Sequence, residues 1–295
     1  MTKGVKIADW LFYSNVWIAL NALAQVVQTH YLLSGKVELT PAAGFAFFGA
    51  LSLYALHRIA GLDRLAAFTA EGRHKVMAER KGHLRVYAAL GLTGALAFFL
   101  QFPFRMQWML ALPCMIALGY ALPLSSSGKR LRDLHFLKIF LLAAVWSWIT
   151  VWLPAAELQA DHSRSVLLMG LERFAFIFAL VIPFDIRDLE IDRHTGVKTI
   201  PGALGVKPSI VLAFLLLAAM MAFAALNTYS NGVLTGLAIS AGISFLLILF
   251  ARRVRHDYYF SGLLDGMMML QFLMVWGLGR TPAPEESFGL RISSI

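Results

Sequence analysis

The sequence predicts an all-α, polytopic membrane protein, a bundle of about nine transmembrane helices. Three observations predict it. Hydrophobic residues make up 59% of the 295 residues, charged residues only 15%, and mean hydropathy is +0.68; a soluble domain carries about 25% charged residues. The apolar residues fall in runs of about 20, the length that crosses a hydrocarbon core. The charges gather between those runs, most of them on alternate loops.

Nine runs qualify as spans: 10–33, 40–58, 84–102, 105–122, 136–154, 166–184, 206–227, 231–251 and 258–279. Spans three and four are separated only by Pro103-Phe104, and spans seven and eight by the turn cluster Asn227-Thr228-Tyr229-Ser230-Asn231-Gly232. Lys3 and Lys6 precede the first run without a small-residue cleavage site, which reads as an uncleaved first span. No soluble domain or low-complexity tract stands out, so residues 1–295 read as one transmembrane domain. Each half carries one long charged inner loop, after spans two and six, which hints at a pseudo-repeat.

Orientation follows from the Lys and Arg residues. Twenty lie at the N-terminus and in the loops after spans two, four, six and eight. Five lie on the other side (Lys36, Arg105, Arg164, Arg280 and Arg291), and Arg173 sits inside a span. Cytoplasmic loops carry the excess of Lys and Arg. The N-terminus is therefore expected in the cytoplasm and the C-terminus outside, in a cell inner or plasma membrane. The net charge of +9 is explained by this topology, so the expected partner is the lipid bilayer and not nucleic acid. Cys114 is alone in an apolar stretch and reads as a small buried hydrophobe.

Polar residues within or beside spans narrow the chemistry. Asp185, Asp188 and Asp192 follow span six at i, i+3 and i+7, one stripe of a helix. Like charges so placed need a compensating cation. Hard carboxylate oxygens suit Mg²⁺ held together with substrate phosphates, which makes a diphosphate clamp one reading. The other is a solvated acidic helix end, with Arg187 and Arg193 as partners. Asp265 lies inside span nine and should face the bundle interior with a partner. Asn21, Gln25 and Gln28 share one face of span one, which suits interhelical hydrogen bonds. Asn15 is near enough to the cytoplasmic side to reach a polar head group.

The run from Asp185 through Asp188 and Asp192 to Gly196, Lys198-Thr199 and Pro201 resembles the second aspartate-rich motif of the UbiA-type intramembrane prenyltransferase superfamily. A second stretch agrees with it: Tyr120-Ala121-Leu122-Pro123, then Lys129, Arg130, Arg132 and Lys138. The resemblance implies a polyprenyl diphosphate donor, a lipophilic or aromatic acceptor, and Mg²⁺. It makes Asp185, Asp188 and Asp192 the catalytic metal ligands, and Lys129, Arg130 and Lys198 phosphate ligands. The sequence departs from the family where a first aspartate motif belongs, at the end of span two. There it reads Tyr54-Ala55-Leu56-His57-Arg58-Ile59-Ala60-Gly61-Leu62-Asp63-Arg64, with one carboxylate. Three explanations remain open. His57 and Arg58 contact phosphate and replace one metal, or the donor is no ordinary diphosphate, or transfer chemistry has been lost. The last corresponds to a non-catalytic isoprenoid- or lipid-binding relative. A transporter fits worse, because broken helices and midplane charges are few.

Overall fold

The computed structural model describes residues 15–62, 81–122, 130–194, 196–254 and 256–280. Lys129 and Asp63 lie outside the described residues, as do the first residues of span one. Among the described residues every expected span is a long helix. In chain order these are α1 (Val16–Ser34), α2 (Pro41–Leu62), α3 (Lys81–Phe99), α4 (Phe104–Ala121), α5 (Leu137–Glu157) and α6 (Arg164–Arg187). Two short helices, α7 (Leu189–His194) and α8 (Ile200–Leu204), follow. Then come α9 (Val206–Leu226), α10 (Asn231–Ala251) and α11 (Tyr259–Gly279). Six of them, α2, α5, α6, α9, α10 and α11, are long and apolar enough to cross a membrane.

The helix ends obey local rules. Ser163 and Ser230 accept hydrogen bonds from Val166 N and Val233 N and so cap α6 and α10. Gly35 closes α1 in the left-handed region at φ 74°, where a side chain would be strained. The Pro103-Phe104 boundary is a real break, with Pro103 extended before α4. Both α5 and α11 contain a π turn, Trp148–Trp152 and Tyr259–Leu264.

Neighbour packing runs α1–α2–α4–α5–α6–α9–α10–α11 and back to α1, with α3 laid against α2. In a membrane, helices approach through small residues. A Cβ on Gly91 of α3 would come within 2.5 Å of Ser52 N on α2, and one on Gly236 of α10 within 2.7 Å of Met274 O on α11. Polar side chains of α1 join it to α11 near the π turn. Trp17 Nε1 donates to Gly262 O at 3.1 Å, Met269 N to Asn21 Oδ1 at 2.9 Å and Gln25 Nε2 to Met268 O at 2.6 Å. Gln25 and Gln28 also reach Gln271 Oε1, each at 3.4 Å. The Asn21, Gln25 and Gln28 face is thus an interhelical polar seam. Because consecutive helices run antiparallel, the C-terminal ends of α2, α4 and α6 share one end of the bundle with the N-terminal ends of α1, α5 and α11.

Candidate active site

The acidic motif sits at that shared end. α6 carries Asp185 in its last turn, stops at Asp188, and the chain resumes as α7 with Asp192. The interruption takes the motif off a single stripe. Asp185 and Asp192 turn to one side, where both meet Lys138 from the first turn of α5. Lys138 Nζ lies 2.7 Å from Asp185 Oδ1 and 3.3 Å from Asp192 Oδ2. The three side chains are 11%, 2% and 9% exposed, so this is a buried cluster of two carboxylates on one ammonium. Asp188 faces elsewhere. Arg187 grips it with two parallel hydrogen bonds, Nε to Oδ1 at 2.7 Å and Nη2 to Oδ2 at 3.0 Å. The same guanidinium lies over the rings of Phe184 and Phe260 at 5.1 and 4.9 Å. Asp192 is pushed above the ordinary carboxylate range, chiefly by burial; Lys138 pulls it back while Asp185 and Asp188 push it further up.

Across the end of the bundle stands a wall of cations, where the family resemblance leads one to expect carboxylates. Arg132, on the 3₁₀ turn Leu131–Asp133, contacts the His57 ring at the end of α2 and lies 5.6 Å over the Tyr120 ring at the end of α4. The positive charges whose fields reach His57 are those of Arg132, Arg130, Arg58 and Lys138. Arg130 is buried. Half-buried Asp265 lies in α11 just past the π turn, in the fields of Arg187 and Arg58.

An apolar cavity begins beside this wall. A first chamber of about 110 Å³ touches His57, Tyr54, Tyr120, Leu53 and Trp146. A second, of about 280 Å³, shares Leu53, Tyr54 and Trp146 with it and extends along Phe45, Gly49, Phe99 and Ile149. Together they reach the lower part of the range for small-molecule sites, roughly 300–1,000 Å³. Leu92, Leu96 and Leu118 border the second chamber and are themselves exposed, so its rim faces the surroundings of the bundle between α3 and α4.

A sequence profile of the UbiA prenyltransferase family matches residues 75–261, more than half of the chain. The chain belongs to that family. The UbiA match takes in the whole acidic motif and begins after His57 and Arg58. No curated protein sequence matches the chain. Among solved structures, the apo form of a UbiA homologue from Aeropyrum pernix K1 is 21% identical, with a TM-score of 0.62 over 94% of this chain and 98% of that one. A UbiA homologue from Archaeoglobus fulgidus bound to GPP and Mg²⁺ is 15% identical, with a TM-score of 0.56 over 92% and 99%. The structure of a digeranylgeranylglyceryl phosphate synthase is 13% identical, with a TM-score of 0.56 over 92% and 97%. At these identities the likeness is one of fold.

Measured against the sequence expectations, Asp185 and Asp192 come together, and Asp188 is held apart from them by Arg187. His57, Arg58 and Arg130 gather on the opposite wall. Lys198 binds through its backbone, its carbonyl accepting from Phe136 N at 2.9 Å and its N–H donating to His135 Nδ1 at 3.1 Å, while its side chain is exposed. Asn15 is buried at the start of α1, in the left-handed region at φ 70°. Sequence reasoning placed Arg132 and Lys138 in the stretch that resembles the family but gave a phosphate role only to Lys129 and Arg130, and so missed the contacts Arg132 and Lys138 make. The Mg²⁺ implied by the resemblance does not fit these carboxylates as they stand. The Lys138 ammonium occupies the space between Asp185 and Asp192, and both oxygens of Asp188 are engaged. Among the described residues no group of three or more His, Cys, Asp or Glu is placed to hold a metal ion.

Proposed function

We propose that the chain is a prenyltransferase-like membrane enzyme that takes a prenyl diphosphate as donor and a hydrophobic acceptor. The supporting observation is a pair of adjoining chambers: the first touches His57 and Tyr120, the two rings that Arg132 meets, and shares Leu53, Tyr54 and Trp146 with a second, mostly apolar chamber. A molecule with a doubly charged head and an isoprenoid tail is what such a shape accommodates. A UbiA homologue of the same fold is bound to GPP and Mg²⁺, which supports this reading.

In this reading Arg132, Arg130, Arg58 and His57 neutralise the diphosphate, with Lys198 at the loop side and Asn15 at the edge; Lys129, outside the described residues, is a further phosphate ligand on the resemblance alone. Preorganised positive charge favours departure of the leaving group. The allylic C–O bond breaks with its electron pair going to the diphosphate. Tyr54, Tyr120 and Trp146, which line the first chamber, shield the allylic cation from water and stabilise it with their ring faces. An acceptor electron pair then forms the new bond, and the acceptor releases a proton. The acceptor enters through the rim at Leu92, Leu96 and Leu118.

We further take α1, α3 and α4 as membrane spans beside the six most apolar helices. Trp108, Leu112 and Met115 of α4 and Leu90, Leu92 and Leu96 of α3 are largely exposed, and such rows suit lipid. Nine spans place the N-terminus and the charged end of the bundle in the cytoplasm and the C-terminus outside, in a cell inner or plasma membrane, with residues 1–295 forming one transmembrane domain. The occupied carboxylates favour a second reading, a relative that binds isoprenoid lipids without turnover; detection of any prenyl-transfer product excludes it.

Gly49 supplies the test. It lines the second chamber, and a Cβ there meets nothing within 4 Å. Labelled prenyl diphosphates of increasing length are titrated against wild type, Gly49→Phe and Arg132→Ala. Gly49→Phe should weaken the longer chains selectively, and Arg132→Ala should weaken every length. Equal binding of all lengths by all three proteins contradicts the reading.

A further inference from the structure

We propose that the Lys138 ammonium is a built-in cation that takes the place of a metal ion at the acidic motif, so that Asp185 and Asp192 anchor a lysine which itself faces the donor's phosphate. The proposal rests on the prenyl-diphosphate reading only for the identity of that phosphate. Four observations carry it. First, Nζ bridges two carboxylates from different helices, at 2.7 and 3.3 Å, from a third helix. This is the position a bridging cation would occupy. Second, all three side chains are nearly buried, so the carboxylates have little water to supply a second counter-ion. Mg²⁺ binds reluctantly without several of its waters.

Third, Lys138 is the one cation in the 21-residue apolar span Leu137–Glu157. It sits in the first turn with its side chain 11% exposed, and a buried ammonium is costly unless paired; Asp185 and Asp192 are its pair. Fourth, the opposite wall presents Arg132, Arg130, Arg58 and His57. Among the described residues, a metal bridging the two walls would find paired carboxylates on one side only. Two carboxylates and one ammonium leave the cluster one negative charge, which the fields of the arginines offset. An ammonium has three N–H donors. One is spent on Asp192 Oδ2 at 3.3 Å, the contact with Asp185 Oδ1 at 2.7 Å being an ion pair without hydrogen-bond alignment, and a phosphate oxygen takes another.

The test uses the full chain in detergent, with Mn²⁺ as the metal probe read by electron paramagnetic resonance. Wild type and Asp185→Asn should give superimposable Mn²⁺ titrations. A wild-type site that Asp185→Asn abolishes overturns the proposal. Lys138→Met should gain a Mn²⁺ site that Lys138→Met/Asp185→Asn lacks; a folded Lys138→Met with no such site also overturns it. If Lys138→Met does not fold, the comparison of wild type with Asp185→Asn decides alone.

A parallel titration with geranyl diphosphate in excess EDTA separates this proposal from the functional reading. Wild type should bind as tightly in EDTA as in Mg²⁺, and Lys138→Met should bind at least about tenfold more weakly in EDTA. Binding that needs Mg²⁺ and Asp185 leaves the functional reading standing and removes the built-in cation. No binding in either buffer, with the Mn²⁺ results as expected, removes the functional reading and leaves the built-in cation standing.

Discussion

Replacing Lys138 by Met leaves a side chain of similar length and removes the charge between two nearly buried carboxylates. Removing one partner of a buried ion pair costs about 3–5 kcal/mol, because the remaining charge is left uncompensated. Here two carboxylates are stranded, so the upper half of that range applies to the folded protein. At about 2–4 °C per kcal/mol for a chain of this size class, the thermal midpoint falls by on the order of 10 °C. The assay is thermal unfolding in detergent of wild type, Lys138→Met, Asp185→Asn and the double variant. The double variant should recover a large part of the loss, because one carboxylate fewer needs a partner. The pH dependence is fixed in sign. The folded-state pKa of Asp192 is raised above its ordinary 3.8, mainly by burial. The folded chain therefore holds this proton more tightly than the unfolded chain. Stability contributed by the site falls as pH rises through the window above 3.8. The Lys138 charge beside Asp192 pulls its pKa down, so Lys138→Met widens the window and its penalty should shrink on acidification. A Lys138→Met midpoint within about 2 °C of wild type, or a double variant no more stable than the single one, refutes the reasoning.

Two contacts between helices make further predictions. Gly91→Ala drives a methyl into the backbone of α2 and should cost about 1–3 kcal/mol by overpacking, while Gly242→Ala, with nothing within 4 Å of the new Cβ, should be neutral or slightly stabilising; midpoints of both variants in one detergent check the contrast. Gln25→Leu removes the donor to Met268 O and the contacts with Gln271, and should cost about 0.6–2 kcal/mol, seen as faster hydrogen exchange in the middle of α11.

The helices were legible because the requirement for about 20 apolar residues leaves few alternatives; the boundaries of α9, α10 and α11 move by at most one residue from the sequence expectation. The seam of Asn21, Gln25 and Gln28 was legible for the same reason, since polar groups within an apolar run must find partners. The acidic motif was legible as a site but not in its geometry. Spacing assumes an unbroken helix, and the break at Asp188 turns that side chain toward Arg187. Lys138 stood in the stretch that resembles the family but received no role of its own, because basic residues near inner loops are expected on topological grounds. Its signal was its place in the first turn of the apolar span, between Leu137 and Ile139, rather than in the loop before it. The meeting of Arg132 with His57 joins residues 75 positions apart and had no local signature.

The most direct test of the central claim, that a prenyl diphosphate lies with its head at the cation wall and its tail in the apolar cavity, is photolabelling. A geranyl diphosphate analogue with a diazirine at the tail end is cross-linked to the full chain in nanodiscs and the adducts are mapped by mass spectrometry. The account predicts adducts on Phe45, Gly49, Phe99 or Ile149, lost when unlabelled geranyl diphosphate competes. Adducts spread over lipid-facing positions such as Leu215, Leu246 and Phe250, and indifferent to competition, would contradict it.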